Sequence, residues 1–315
     1  MTVPVDPAAL ARAAAALRAG GLVAFPTETV YGLGADALRA PAVRRIFAAK
    51  GRPADNPLIV HLADDEQVPT VAVWTPLARG LAREYWPGPL TLVLDAHPRV
   101  PAVTTGGLAS VAVRIPDHPV AQALLHASGL PVAAPSANRS GRPSPTLADH
   151  VTADLGTAVD VVLDGGPTTV GVESTVVDAR GERPVVLREG SVTRESLGLL
   201  GAATPDARRA SPGTRYRHYA PRCRVELAAP ARAAAAARHL AASGARVGLV
   251  ARAPAPDDVL EIGRFTDAAD LARRLYGLLR DAEDAGVDVL VVETVPEAGV
   301  GRAVQDRLRR AAGLA

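Results

Sequence analysis

Lys50 and Arg52 place two cations within three residues, in the run Lys50-Gly51-Arg52-Pro53. Charges that close repel unless an anion lies between them. A lysine offers a point charge, and an arginine offers a planar fork that matches two phosphate oxygens. Lys50 is also the only lysine among 35 Lys and Arg residues, in a chain rich in Ala, Gly and Pro. A solvated cation is easily arginine instead, so the one retained lysine suggests a place where a compact ammonium is needed, against the plainer reading that one lysine survived by chance. Asn56 follows, able to donate one hydrogen bond and accept another, and then His61. The competing reading is an ordinary solvated turn. Pro53 and Pro57 stiffen this turn and hold its side chains in one arrangement, which favours an anion-binding loop.

Further along, Pro135-Ser136-Ala137-Asn138-Arg139-Ser140-Gly141 leads to Ser144. Small hydroxyls and open backbone N–H groups in such a loop can cradle an anion, although most polar loops do nothing of the kind. Ser174 lies in Gly171-Val172-Glu173-Ser174-Thr175. It lacks the Gly-x-Ser-x-Gly elbow of a serine nucleophile, so a hydrogen-bonding role is expected. Residues 211–221 alternate aromatic and basic side chains, among them His218 and Tyr219. Such a stretch is expected to pack on RNA, on a nucleotide or on the first domain. Gly32-Leu33-Gly34-Ala35-Asp36-Ala37 formally resembles a dinucleotide fingerprint, but it lies too far past Phe25, and Pro41 interrupts the helix such a site needs. Lys50 has no upstream glycine at P-loop spacing and no following Ser or Thr, which excludes a Walker loop.

These residues need elements to hold them. Asp6-Pro7 caps a helix that runs to Leu17 and stops at Gly20-Gly21. A short buried strand at 22–25 precedes a loop over 26–34. A helix at 42–49 buries Val43, Ile46 and Phe47. Strands are expected at 58–62, 90–94, 111–115, 132–134, 159–163, 174–177 and 185–187. Helices are expected around 77–83, 120–127 and 147–153. This mixture reads as an α/β sheet. The segment 204–222 is polar and broken by prolines, and reads as a linker between a first domain, 1–203, and a second, 223–315. The second domain is expected to carry strands near 224–228, 246–250 and 287–292, with helices at 231–242, 267–282 and 300–312. That alternation predicts a small doubly wound α/β unit.

Bulk properties narrow the classes. The formal net charge of +2 gives no global basic field of the kind that dominates nonspecific nucleic-acid binding. A single cysteine, Cys223, excludes an internal disulfide and a multi-thiolate zinc site. Neither a basic, apolar leader nor an apolar run of about 18 residues is present, so a cytoplasmic location with no membrane association is expected.

Taken together, these segments resemble the threonylcarbamoyl-AMP synthase family in its long form. Residues 25–34 match its opening loop, Lys50-Gly51-Arg52 with Asn56-Pro57 its K-x-R signature, and Ser136-Ala137-Asn138 its S-x-N signature. Ser211 to Pro221 matches its linker motif, with Thr214 where methionine is usual. The resemblance implies a YrdC-like twisted mixed sheet with flanking helices, plus a small Rossmann-like C-terminal domain. It implies that ATP, carried with Mg2+, L-threonine and bicarbonate or CO2 give threonylcarbamoyl-adenylate and pyrophosphate. The product would pass to a tRNA-modifying complex, with a weak tRNA contact. By the same resemblance, Lys50 and Arg52 are catalytic. ATP-binding positions are Lys50, Arg52, Asn56, Ser110, Ser136, Asn138, Ser144, Arg188 and Tyr219, the last closing over the nucleotide from the linker. Threonine-binding positions are Thr27, His61, Arg114, Ala134 and Ser174. No dedicated metal site is expected. Two other classes compete. One is a nonenzymatic double-stranded RNA or tRNA binder, which the near-neutral charge disfavours. The other is a hydrogenase-maturation carbamoyltransferase, which the lone cysteine disfavours.

Overall fold

A computed structural model describes residues 2–199 and 218–314. They divide into two compact units. The first holds residues up to 140, 144–169 and the described part of 173–215. The second holds 141–143, 170–172 and the described part of 216–315. Most of the expected linker, 204–217 with Thr214, lies outside the described residues.

The first unit runs β1 (Thr2–Pro4), α1 (Pro7–Arg18), β2 (Val23–Phe25), β3 (Gly32–Asp36), α2 (Ala40–Lys50), β4 (Ile59–His61), α3 (Pro76–Tyr85), β5 (Leu90–Asp95), α4 (Ala102–Thr105), β6 (Ser110–Arg114), α5 (Pro119–Ser128), β7 (Val132–Ala133), α6 (Ala148–Leu155), β8 (Val161–Asp164), β9 (Thr175–Asp178) and β10 (Val185–Arg188). Asp6 caps α1 as its sequence predicts, accepting from Ala9 N at 2.6 Å, with Pro7 in the first turn. The strands form one mixed sheet in the order β1-β8-β2-β3-β7-β4-β6-β5-β9-β10. Pairs β4–β6 and β5–β9 are parallel, whereas β3–β7, β4–β7 and β5–β6 are antiparallel.

The loop expected over 26–34 is shorter than its composition suggests. Gly32 to Asp36 is a strand, antiparallel to β2 and to β7. Glycine and alanine carry little strand preference, so only the pairing partners reveal it.

Alternation along the strands gives the sheet two unlike faces. One face sends Val60, Leu90, Leu92, Leu94, Val111, Val113 and Val177 into the main core, against α2, α3 and α6. The other face is split. Over β2, β7 and β8 it packs Val23, Phe25, Val132 and Leu163 against α1 and α5. Over β4, β5, β6, β9 and β10 it carries only a small apolar floor of Ile59, Val93, Ala112, Val176 and Leu187.

The second unit contains β11 (Arg224–Ala228), α7 (Ala233–Ala242), β12 (Val247–Ala251), β13 (Leu260–Arg264), α8 (Ala268–Asp284), β14 (Val289–Glu293) and α9 (Gly301–Ala311). Its sheet has the order β11-β14-β12-β13, parallel throughout. Strand β13 was not anticipated: it is an edge strand with exposed Leu260, Glu261 and Arg264, without the apolar run of a buried parallel strand. Among the described residues no helix is long and apolar enough to cross a membrane.

Candidate active site

Lys50 ends α2, and Gly51 stops the helix. Gly51 adopts φ 60°, the left-handed conformation, while its N–H and that of Arg52 close on Ala48 and Phe47 carbonyls. The chain therefore turns sharply between the two cations. The Lys50 side chain is buried, 2% exposed. Its Nζ donates to the Ser136 carbonyl at 2.5 Å and to the Asn138 carbonyl. An ammonium has three N–H groups, so one remains for a ligand. Burial, and next the Arg52 charge, push the Lys50 pKa well below the usual lysine range. An anion placed there would relieve both effects.

Arg52 is half-buried and holds its own turn in shape, donating from Nη2 to Pro57 O at 3.0 Å and from Nε to Asn56 O at 3.4 Å. Asn56 is fully buried. Across from them, Ser136 donates to Asn138 Oδ1 at 2.6 Å, and Asn138 Nδ2 donates to Arg139 O at 2.8 Å. Ser140 N donates to Lys50 O at 2.9 Å, which ties the two loops together. The Lys50-x-Arg52 and Ser136-x-Asn138 segments, 86 residues apart for the Lys50–Ser136 bond, are thus one structure.

The second cluster lies on the split face of the sheet. His61 ends β4, with Arg114 beside it on β6 and Val132 on β7. The His61 ring meets Phe25 edge-on at 6.2 Å. Burial, and next the Arg114 charge, lower its pKa to about 3, so it is neutral at physiological pH. Its Nδ1 is buried and closes no hydrogen bond. Arg114 donates from Nε to Gly88 O at 3.1 Å and from Nη1 to Thr29 Oγ1 at 3.0 Å. Its Nη2 lies 2.5 Å from Glu28 Oε1, in ionic contact without hydrogen-bond alignment. Thr27 Oγ1 donates to Val30 O at 2.7 Å and meets Thr29 Oγ1 at 2.8 Å, which shapes the 26–31 loop. Ala134 N donates to Ile59 O, which places its backbone beside β4.

Alternation puts Ser110, Ala112 and Arg114 on the same face as His61. Ser110 is buried at the far end of β6. Thr91 Oγ1 meets Ser174 Oγ at 2.7 Å. Arg188 is spent on Ser174, donating from Nη2 to its carbonyl at 2.9 Å and to Oγ at 3.1 Å. Ser144 donates to Glu173 Oε1 at 2.6 Å. Tyr219 belongs to the second unit. There it adopts φ 64°, stacks on Tyr276 at 5.3 Å and lies under Arg307.

Of the expected residues of the first unit, Lys50, Arg52, Asn56, Ser136 and Asn138 form one group, and Thr27, His61, Arg114 and Ala134 a second. Ser174 and Arg188 pair with each other, Ser144 pairs with Glu173, and Ser110 lies at the opposite end of β6 from Arg114. Sequence reasoning passed over Glu28, Thr29, Thr91 and Glu173. Glu28 and Thr29 stood inside the quoted 25–34 motif, and a carboxylate in so apolar a run was the available signal. Glu173 likewise stood in the quoted run around Ser174, and Thr91 gave no signal, because its partner Ser174 is distant in sequence.

Comparison with known proteins identifies the family. Residues 15–190 match the family described as "Telomere recombination", and residues 186–313 match "Threonylcarbamoyl-AMP synthase, C-terminal domain". The threonylcarbamoyl-AMP synthase of Bacillus subtilis is 44% identical, over 96% of this chain and 93% of its own. That of Pyrococcus abyssi is 45% identical, with the same coverage of 96% and 93%. The crystal structure of Pyrococcus abyssi Sua5 complexed with L-threonine superposes with a TM-score of 0.90 at 42% identity, covering 100% of this chain and 97% of that one. The chain belongs to the threonylcarbamoyl-AMP synthase family.

Proposed function

We propose that the two side-chain groups divide the family's reaction between them: Lys50 and Arg52 take the triphosphate of ATP, and the Arg114–His61 group takes L-threonine. The activity itself, formation of threonylcarbamoyl-AMP by nucleotidyl transfer, is that of the family. The solved Pyrococcus abyssi relative, which binds L-threonine, supports the amino acid as the second substrate.

The observation that carries this division is the state of Lys50. Its ammonium is buried and fixed by two backbone carbonyls, with one N–H left over. That is a preorganised charge, already desolvated and needing no reorganisation when phosphate charge builds up. The α-ammonium of threonine loses a proton, the freed amine bonds to the carbon of CO2, and a second proton leaves the nitrogen to solvent, giving a carbamate. A carbamate oxygen then bonds to the α-phosphorus as the bond to the bridging oxygen breaks, and pyrophosphate leaves with that electron pair. The protein forms no covalent intermediate. Lys50 and Arg52 act by position and electrostatics. Mg2+ enters with ATP as part of the substrate. Asn56, Ser136, Asn138 and Ser144 shape the nucleotide side, with Ser110 at the start of the inner strand β6 and Arg188 at the end of the edge strand β10. Thr27, Ala134 and Ser174 line the amino-acid side. The adenylate product serves a downstream tRNA-modifying step.

The test is direct. The chain, supplied with MgATP, L-threonine and bicarbonate, is expected to yield threonylcarbamoyl-adenylate, read by mass spectrometry, with pyrophosphate in equal amount. ATP hydrolysis that is indifferent to threonine would overturn the proposal.

A further inference from the structure

We propose that Glu28 and Arg114 form a two-ended recognition pair for a zwitterion, in which Arg114 receives the α-carboxylate and Glu28 receives an N–H of the α-amino nitrogen. This rests on the threonine reading above and adds to it a residue that decides specificity.

The pair is buried on both sides, with side-chain exposures of 3% for Arg114 and 7% for Glu28. Buried ion pairs are poor stabilisers, because desolvation offsets much of their attraction. Their value is therefore sought in recognition. Neither partner is fully used. Two of Arg114's five N–H groups serve Gly88 and Thr29, a third faces Glu28, and two remain. On Glu28, Oε2 is buried and accepts no hydrogen bond. A buried acceptor with no donor is costly, and an amino nitrogen is the kind of donor that satisfies it. The hydroxyls of Thr27 and Thr29 are already committed, to each other, to Val30 O and to Arg114 Nη1. The remaining capacity thus sits on the two charged groups.

Charge balance points the same way. Carboxylate and guanidinium cancel, and the neighbouring His61 is neutral, its pKa held near 3. A site with no net charge favours a ligand with no net charge. A free amino acid meets that condition. A simple hydroxy acid, which carries only the negative end, faces Glu28 without a counter-charge. Once the amine has become a carbamate, its nitrogen still keeps one N–H for Glu28. The new negative charge is repelled by Glu28, so the carbamate oxygens turn away from it.

Binding measurements on the full chain separate these ideas. The ligands are L-threonine, 3-hydroxybutanoate (the same acid without the amine) and threonine amide (the same amine without the acid). The wild-type chain is expected to bind both truncated ligands at least about tenfold more weakly than threonine, one order of magnitude in Kd. Glu28→Gln keeps the shape and removes the charge. In that variant threonine is expected to weaken while 3-hydroxybutanoate holds or tightens, so the preference collapses by about tenfold. A purely structural role for Glu28 would weaken both ligands in parallel, and that outcome overturns the proposal. Should the variant fail to fold, the wild-type series still decides: 3-hydroxybutanoate binding as tightly as threonine overturns it. Failure of wild type to bind threonine at all would instead remove the functional reading beneath it.

Discussion

At the scale of single residues, the choice of lysine over arginine at position 50 now has a geometric cause. Two carbonyl oxygens, from Ser136 and Asn138, converge on one nitrogen. A tetrahedral ammonium satisfies both and keeps a third N–H, the one that the proposed function gives to phosphate. A planar guanidinium spreads its donors over a wider fork and cannot meet the same pair of carbonyls while staying buried. Lys50→Arg is accordingly expected to lower the rate of pyrophosphate release by about 100- to 1,000-fold, the cost of losing one preorganised donor. A continuous pyrophosphate assay at saturating ATP checks it, and a fall of less than tenfold would show that charge alone suffices. The lone lysine was visible in the composition. The carbonyls that select it were not, because backbone groups carry no sequence signature.

At the scale of elements, two glycines hold the site's loops in place. Gly51 has φ 60° with open space where a Cβ would go. Gly51→Ala is therefore a purely conformational perturbation, expected to cost about 1–2 kcal/mol. Urea unfolding measures that cost, and the KM for ATP should rise more than the KM for threonine, since the turn carries Arg52. Gly190 is different. A Cβ there would lie 2.3 Å from Thr175 N and 2.5 Å from Ser174 C, both backbone atoms. Gly190→Ala must push apart the segment that carries Ser174 and the strand that carries Arg188. The expected penalty is about 1–3 kcal/mol, as for other overpacked sites. Unlike Gly51→Ala, it should raise the KM for threonine; an unchanged value would place Ser174 outside the amino-acid site. Element types were largely legible from sequence, because caps and apolar periods are local. Strand β3 escaped, being built from glycine and alanine, and so did the edge strand β13.

At the scale of the whole molecule, buried bases set the response to acid. His61 titrates near 3 in the folded chain and near 6.5 when unfolded. Between those values the unfolded chain binds a proton that the folded chain does not, so stability falls as pH drops from about 6.5 toward 3. Above pH 6.5 His61 contributes no pH dependence. Equilibrium urea unfolding at pH 7.5 and pH 4.5 should show this loss, and His61→Gln should reduce it. An equal loss in the variant would assign the acid sensitivity elsewhere. The molecule also divides in a way that sequence order hides. Residues 141–143 and 170–172 belong to the second unit, where Arg142 pairs with Glu283 at 2.7 Å and Ala220 N donates to Gly141 O.

The sequence by itself determined the family and the α/β class, because motifs and helix caps are short-range patterns written in consecutive residues. Tertiary structure alone decided which side chains meet. Only folding brings Ser136 to Lys50, sets His61 beside Arg114 on neighbouring strands, and presses Glu28 against a guanidinium. The physical reason is that sheet pairing and burial join residues far apart along the chain, and no local pattern records the partner that a strand or a charge will find.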